Sequence, residues 1–148
     1  MKNRVAPFIA AAVLTIGGSA ACSSGNPSAE REPGTLPPGT AQLTIGGKDL
    51  PPTRAVECAP PEQYLTTITT GNDASGVTVM VSNAGKLAIE FVRIRNLDGF
   101  TGDYDRGLGG DATVGLTENT YHIAGAAFGY GTKSPEPTTQ PFTIKVAC

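Results

Sequence analysis

Tryptophan is absent from this chain of 148 residues, histidine occurs once and cysteine three times. Each shortage excludes some chemistry. His122 has no second imidazole to help it hold a zinc ion, and a thiolate-rich site would have to draw on cysteines that have other roles. No G-x-S-x-G stretch offers a nucleophile elbow. The glycine-rich "RGLGGD" at 106–111 lacks the Gly-Lys-Ser/Thr ending of a phosphate loop. Charge is sparse as well: 11 Lys and Arg stand against 13 Asp and Glu, for a formal net charge of −2. The basic residues after position 40 are scattered as Lys48, Arg54, Lys86, Arg93, Arg95, Arg106, Lys133 and Lys145. They form no cluster suited to nucleic-acid phosphates or to anionic lipid head groups. Long apolar runs are also missing. The best, "VAPFIAAAVLTI" at 5–16, is shorter than the 20 or so residues a membrane-spanning helix needs.

That short run reads differently beside its neighbours. Lys2 and Arg4 precede it, and small residues lead from it to Cys22. A basic start, an apolar stretch and a small-residue exit make a secretory signal peptide, expected over residues 1–21. Two processing routes fit the exit. In one, "SAA" is an ordinary signal-peptidase site. In the other, "SAAC" at 19–22 is a lipobox, with Ser19 where an aliphatic residue is usual, and Cys22 becomes a diacylglycerol-bearing amino terminus. The polar stretch "SSGNPSAEREPGTLPPGTA" that follows suits a tether after an acylated cysteine. Acylation of Cys22 also leaves Cys58 and Cys148 as an even pair. The expected organisation is a signal peptide at 1–21, the lipidated cysteine and a flexible tether at 22–41, and a β domain at 42–148.

Within 42–148 the apolar period is two. "QLTIGG" alternates and then turns at Gly46-Gly47, giving a short hairpin with "KDL". "RAVEC", "QYLTTITT" and "VTVMV" follow as strands, the last with Val77, Val79 and Val81 on one face. In "KLAIEFVRIRNL" the alternation of Leu87, Ile89 and Phe91 slips one place at Val92 and Ile94, which predicts a strand with a β-bulge. "FTGDYD" follows an Asp98-Gly99 turn, two more strands flank Glu118-Asn119, and "FTIKVAC" closes the chain. The Pro-rich "TKSPEPTTQP" is expected to be a loop. The fold class expected is all-β, an antiparallel sandwich or partial barrel of about eight short strands with one Cys58–Cys148 disulfide.

Asp98, Asp103, Asp105 and Asp111 cluster in sequence, but a calcium loop opened at Asp103 would place Val114 where a bidentate acid is required. They read as solvated loop residues. His122 reads as a surface or edge residue of a strand. No catalytic group, metal or cofactor is expected, and no aromatic platform for a sugar is evident.

The ordered set of a lipobox-like Cys22, a polar tether, "LTIGGKD", "VEC", "YHIAGAA" and a terminal "FTIKVAC" resembles the mycobacterial 19-kilodalton lipoprotein antigen family. The resemblance spans nearly the whole chain. It implies a non-catalytic cell-envelope lipoprotein, anchored in the cell membrane through Cys22 and facing outside the cytoplasm. It further implies recognition of the acylated amino terminus by host Toll-like receptor 2. Ser23, Ser24, Ser28, Thr35 and Thr40 match the family's O-glycosylated tether. An alternative role implied by the family is binding or transport of a hydrophobic, lipid-like ligand in the envelope.

Overall fold

The fold is seen in a computed structural model, which describes residues 31–148. The expected signal peptide, Cys22, Ser23, Ser24 and Ser28 lie outside the described residues. The described residues form ten strands and no helix: β1 (Ala41–Ile45), β2 (Lys48–Asp49), β3 (Val56–Cys58), β4 (Leu65–Gly71), β5 (Gly76–Ser82), β6 (Ala88–Leu97), β7 (Phe100–Asp105), β8 (Ala112–Thr117), β9 (Thr120–Gly131) and β10 (Pro137–Ala147). They join antiparallel in one sheet of order β2-β1-β10-β9-β7-β6-β5-β4-β3, with β8 attached to β9 beside β7. The sheet curls into a half-barrel. Of the two architectures expected, a continuous curled sheet replaces a sandwich of two. The strands number ten, of which β2 and β3 are only two and three residues long.

Alternation decides which face goes inside. Leu43 and Ile45 of β1, Val77, Val79 and Val81 of β5, and Phe142, Ile144 and Val146 of β10 are all buried in one cluster. Strand β6 carries the expected slip. Met80 pairs with Phe91 but Val81 pairs with Ile89, so Glu90 is the extra residue. The bulge keeps Ile89 and Val92 inside although they are three apart, and it leaves Phe91 on the outer face. A second irregularity near Asn96, whose φ is +45°, does the same for Ile94 and Leu97. The chain then reverses at Asp98-Gly99 with φ of +48° and +80°, the left-handed pair that a two-residue hairpin turn demands.

Two local expectations change. The segment 137–141 is strand, not loop, for β10 starts at Pro137. There β10 has β9 on one side only, because its pairing with β1 begins at Phe142. Proline lacks a donor, and it is tolerated where no second ladder runs. Tyr64, expected to open a strand, instead lies with Gln63 in a left-handed turn before β4 and is exposed.

One close approach shapes the β7–β9 seam. Gly102 and Gly129 are cross-strand partners. A Cβ on Gly129 would lie 2.0 Å from the carbonyl oxygen of Thr101. A Cβ on Gly102 would lie 2.6 Å from the Phe100 ring. The strands and the ring therefore pack in space that side chains would fill. Gly129→Ala is expected to destabilise the domain by about 1–3 kcal/mol, the usual cost of overpacking. Gly115→Ala, at a position with open space around its Cβ, should serve as the near-neutral control in the same denaturant titration.

Candidate functional site

The place where the chain enters the sheet is the structural end of the expected anchor. Leu36 donates its amide hydrogen to the Thr120 hydroxyl at 3.0 Å. Gly39 donates to the Ala147 carbonyl at 2.9 Å, and Ala147 donates back to Thr40 at 2.9 Å. Ala41 then opens β1 opposite Val146. The chain is thus held by the sheet from Leu36, six positions before the expected boundary at Gln42. Thr35 and Thr40, the glycosylation candidates among the described residues, are half-buried. Their hydroxyls donate to the carbonyls of Glu32 at 2.7 Å and Pro37 at 2.6 Å.

The same end of the sheet carries the disulfide. Cys58 ends β3, at the far edge of the sheet order, and Cys148 follows β10. They are bonded with Cα atoms 6.0 Å apart across 90 residues of sequence. The bond crosses the gap of the curled sheet and ties its last strand to its edge. Cys148 also donates its amide hydrogen to the Asn119 carbonyl at 3.0 Å. Entry segment, chain end, β8–β9 turn and disulfide therefore converge. A cleft of about 270 Å³ lies beside them, lined by Leu36, Pro37, Ala41 and Pro52 among others.

The family model for the Mycobacterium 19 kDa lipoprotein antigen matches residues 34–148. The chain belongs to this family. The match starts two positions before Leu36 makes the first long-range hydrogen bond of the entry segment. A putative lipoprotein of Mycobacterium avium subsp. hominissuis is 37% identical over 150 residues, covering 100% of this chain and 97% of that protein. The probable lipoprotein LppE of Mycobacterium tuberculosis is 30% identical over 149 residues and the full length of both chains. Lipoprotein LpqH of Mycobacterium avium is 31% identical over 109 residues, 72% of this chain and 67% of its own length. Family membership makes the chain a cell-envelope lipoprotein.

The residues considered for chemistry are dispersed. His122 is half-buried on β9, opposite Lys145 of β10 and Gly115 of β8. Among the described residues, no three His, Cys, Asp or Glu side chains converge as a metal set. The four acids expected in solvated loops do not stay together. Asp98, in its turn, pairs with Lys48 at 2.7 Å. Both partners are well exposed, so the pair contributes less than about 1 kcal/mol. Asp111 precedes β8. Asp103 and Asp105 stand on strand β7 itself, on its outer face, because the β6–β7 hairpin continues through them. There Arg93 of β6 reaches Asp105 at 2.6 Å and lies 3.7 Å from Asp103. Its guanidinium sits 4.6 Å from the centroid of the Phe91 ring. The hydrogen bond that Arg93 donates to Asp105, opposed by partial burial and aided by the charges of both acids, raises the Arg93 pKa above its ordinary value.

Two residues escaped the sequence reading. Phe128 and Tyr130 of β9 point outward and are 60% and 54% exposed. The alternation of "AAFGYG" holds the signal. Ala127 and Gly129 take the inner positions, which inverts the usual order of large inside and small outside. An apolar-periodicity argument assumes that order, so it does not single out aromatics on an outer face.

Proposed function

We propose that acylated Cys22 holds this β domain on the outer side of the cell membrane, and that Toll-like receptor 2 reads the acyl chains. The entry segment carries this reading. It fixes residues 36–41 to one end of the sheet, and Cys22 lies 14 positions before Leu36. Fourteen residues span at most about 50 Å, so the domain stays within one tether length of the bilayer. The domain itself acts as a non-catalytic cap with an exposed face. Each buried methylene contributes about 0.8 kcal/mol, so a pair of long chains offers a receptor with an apolar slot more binding energy than most protein contacts.

The test compares acylated full-length protein with a form starting at Ser23, both free of endotoxin and of other lipoproteins. The acylated form is expected to activate a Toll-like receptor 2 reporter and the shortened form to be silent. Full activity from the shortened form would move recognition onto the protein surface. Among the described residues, the alternative of a hydrophobic ligand draws no support from the interior. The core side chains from Ala41 to Ala147 are each at most 8% exposed, and the clefts lie at the surface.

A further inference from the structure

The outer face of the sheet carries a row of residues in strict cross-strand register. Arg93 of β6 is opposite Asp103 of β7, Asp103 is opposite Phe128 of β9, and Phe128 is opposite Thr139 of β10. One row over, Phe91 is opposite Asp105. Loop 106–111 leaves the sheet beside these residues, and its Leu108 is 84% exposed. Between loop and strands lies a cleft of about 450 Å³, with Leu108, Gly109 and Gly110 on one side, Phe128 on the other, Ala126 and Thr139 between them, and Asp103 and Asp105 also in its lining.

The chemistry on the two sides of Asp103 is unequal. On the β6 side, a cation, an aromatic ring and a carboxylate already form a set, in which Arg93 lies over Phe91 and bonds Asp105. On the β9 side the aromatic ring and the carboxylate are present in register, and among the described residues no cation lies over the Phe128 ring. Asp103 lies 3.7 Å from Arg93, beyond hydrogen-bond distance, and is 57% exposed. Two acids against one arginine leave this cleft with one negative charge. A cation over an aromatic face is favourable, and the aliphatic stem of a long basic side chain packs well on apolar surface.

We propose that this cleft docks a basic peptide segment of a partner protein, with an arginine or lysine stem between Leu108 and Phe128 and its charged head at Asp103. The arrangement repeats between molecules what Arg93, Phe91 and Asp105 make within this one. The volume matches a small-ligand site and exceeds what one side chain fills, so neighbouring peptide atoms enter with it. The proposal is independent of the acyl anchor, since every residue involved belongs to the β domain.

The experiment is an amide-shift titration of isotope-labelled full-length protein, extracted from membranes in a neutral detergent. The probe is the capped tripeptide Gly-Arg-Gly, with its citrulline counterpart as an uncharged isostere. The arginine peptide should give saturable shifts at Leu108, Gly109, Gly110 and Phe128, and weaken as salt is added. Phe128→Ala should weaken it about fivefold, and Asp103→Asn about threefold, while Phe128→Tyr should retain it. Both mutated residues are exposed, so the variants fold. Equal response to the citrulline peptide, indifference to Asp103→Asn, or no shift at millimolar peptide would overturn the proposal. Shifts at the same residues from glucose but not from the peptide would also overturn it and make the aromatic pair a carbohydrate platform.

Discussion

Serine at both Cys58 and Cys148 is expected to lower the stability of the β domain by about 3–5 kcal/mol. The bond closes a loop of 90 residues, for which the chain-entropy estimate is about 4.6 kcal/mol. The structure adds a local reason. Strand β3 has three residues and pairs only with β4, through Val56, Glu57 and Cys58. So short an edge has little to hold it once the covalent tie is lost. The other end of the bond follows β10, where Ala147 and Cys148 are held by hydrogen bonds with Gly39, Thr40 and Asn119. Loss of the bond therefore frees the edge strand β3 from the end of β10, which lies between β1 and β9. For a domain of this size the melting temperature should fall by roughly 10–25 °C. Calorimetry of the oxidised protein and the double serine variant measures this. A loss below about 1 kcal/mol would mean that the sheet holds β3 and the end of β10 without the bond. Hydrogen exchange locates the effect. Amides of β3 and of Ala147 should lose protection first, while those of Val79 and Val92 should follow global unfolding.

The second large effect concerns location. Cys22→Ala is expected to move the protein from the membrane fraction to the soluble fraction. No helix among the described residues is long and apolar enough to cross a membrane, and the basic residues of the β domain are scattered. A diacylglyceryl group brings two chains, whereas a single acyl chain binds only marginally and reversibly. A singly acylated mimic at position 22 should therefore leak from membranes that retain the natural form. Detergent phase partitioning reads both. Retention of Cys22→Ala in the detergent phase, at the level of the unmodified protein, would mean that something else holds the chain. Neither substitution should alter the β domain, because the sheet's first hydrogen bond to the entry segment is at Leu36.

Much of this fold was legible because the sheet has one wet face and one dry face. Period-two alternation therefore marks β1, β5 and the second half of β10 directly. A bulge in β6 was legible for the same reason, but the alternation put the slip after Phe91, whereas the extra residue is Glu90 and Phe91 lies on the outer face. The first half of β10 was hidden. Pro137 and Pro141 read as loop residues, and only the three-dimensional fact that β1 stops pairing at Phe142 makes them acceptable in a strand. A partial barrel was one of two architectures the strand pattern allowed; the choice between them was hidden, because it depends on long-range pairings such as β1 with β10 and β7 with β9. In the candidate site, the entry segment looked like tether throughout. Leu36, Gly39 and Thr40 are bound by partners more than 80 positions away, Thr120 and Ala147, which no local pattern reveals. The register of Asp103 with Phe128 likewise joins residues from separate motifs, and each looked unremarkable alone.

The anchored domain requires an acylated cysteine at the amino terminus and a disulfide joining the other two. Intact mass measurement of the protein extracted from membranes, before and after reduction, tests both together. The expected species begins at Cys22, carries a diacylglycerol mass, and gains two hydrogens on reduction of the Cys58–Cys148 bond. A species that begins elsewhere, or that begins at Cys22 without a lipid mass, would contradict the anchor on which the functional reading depends.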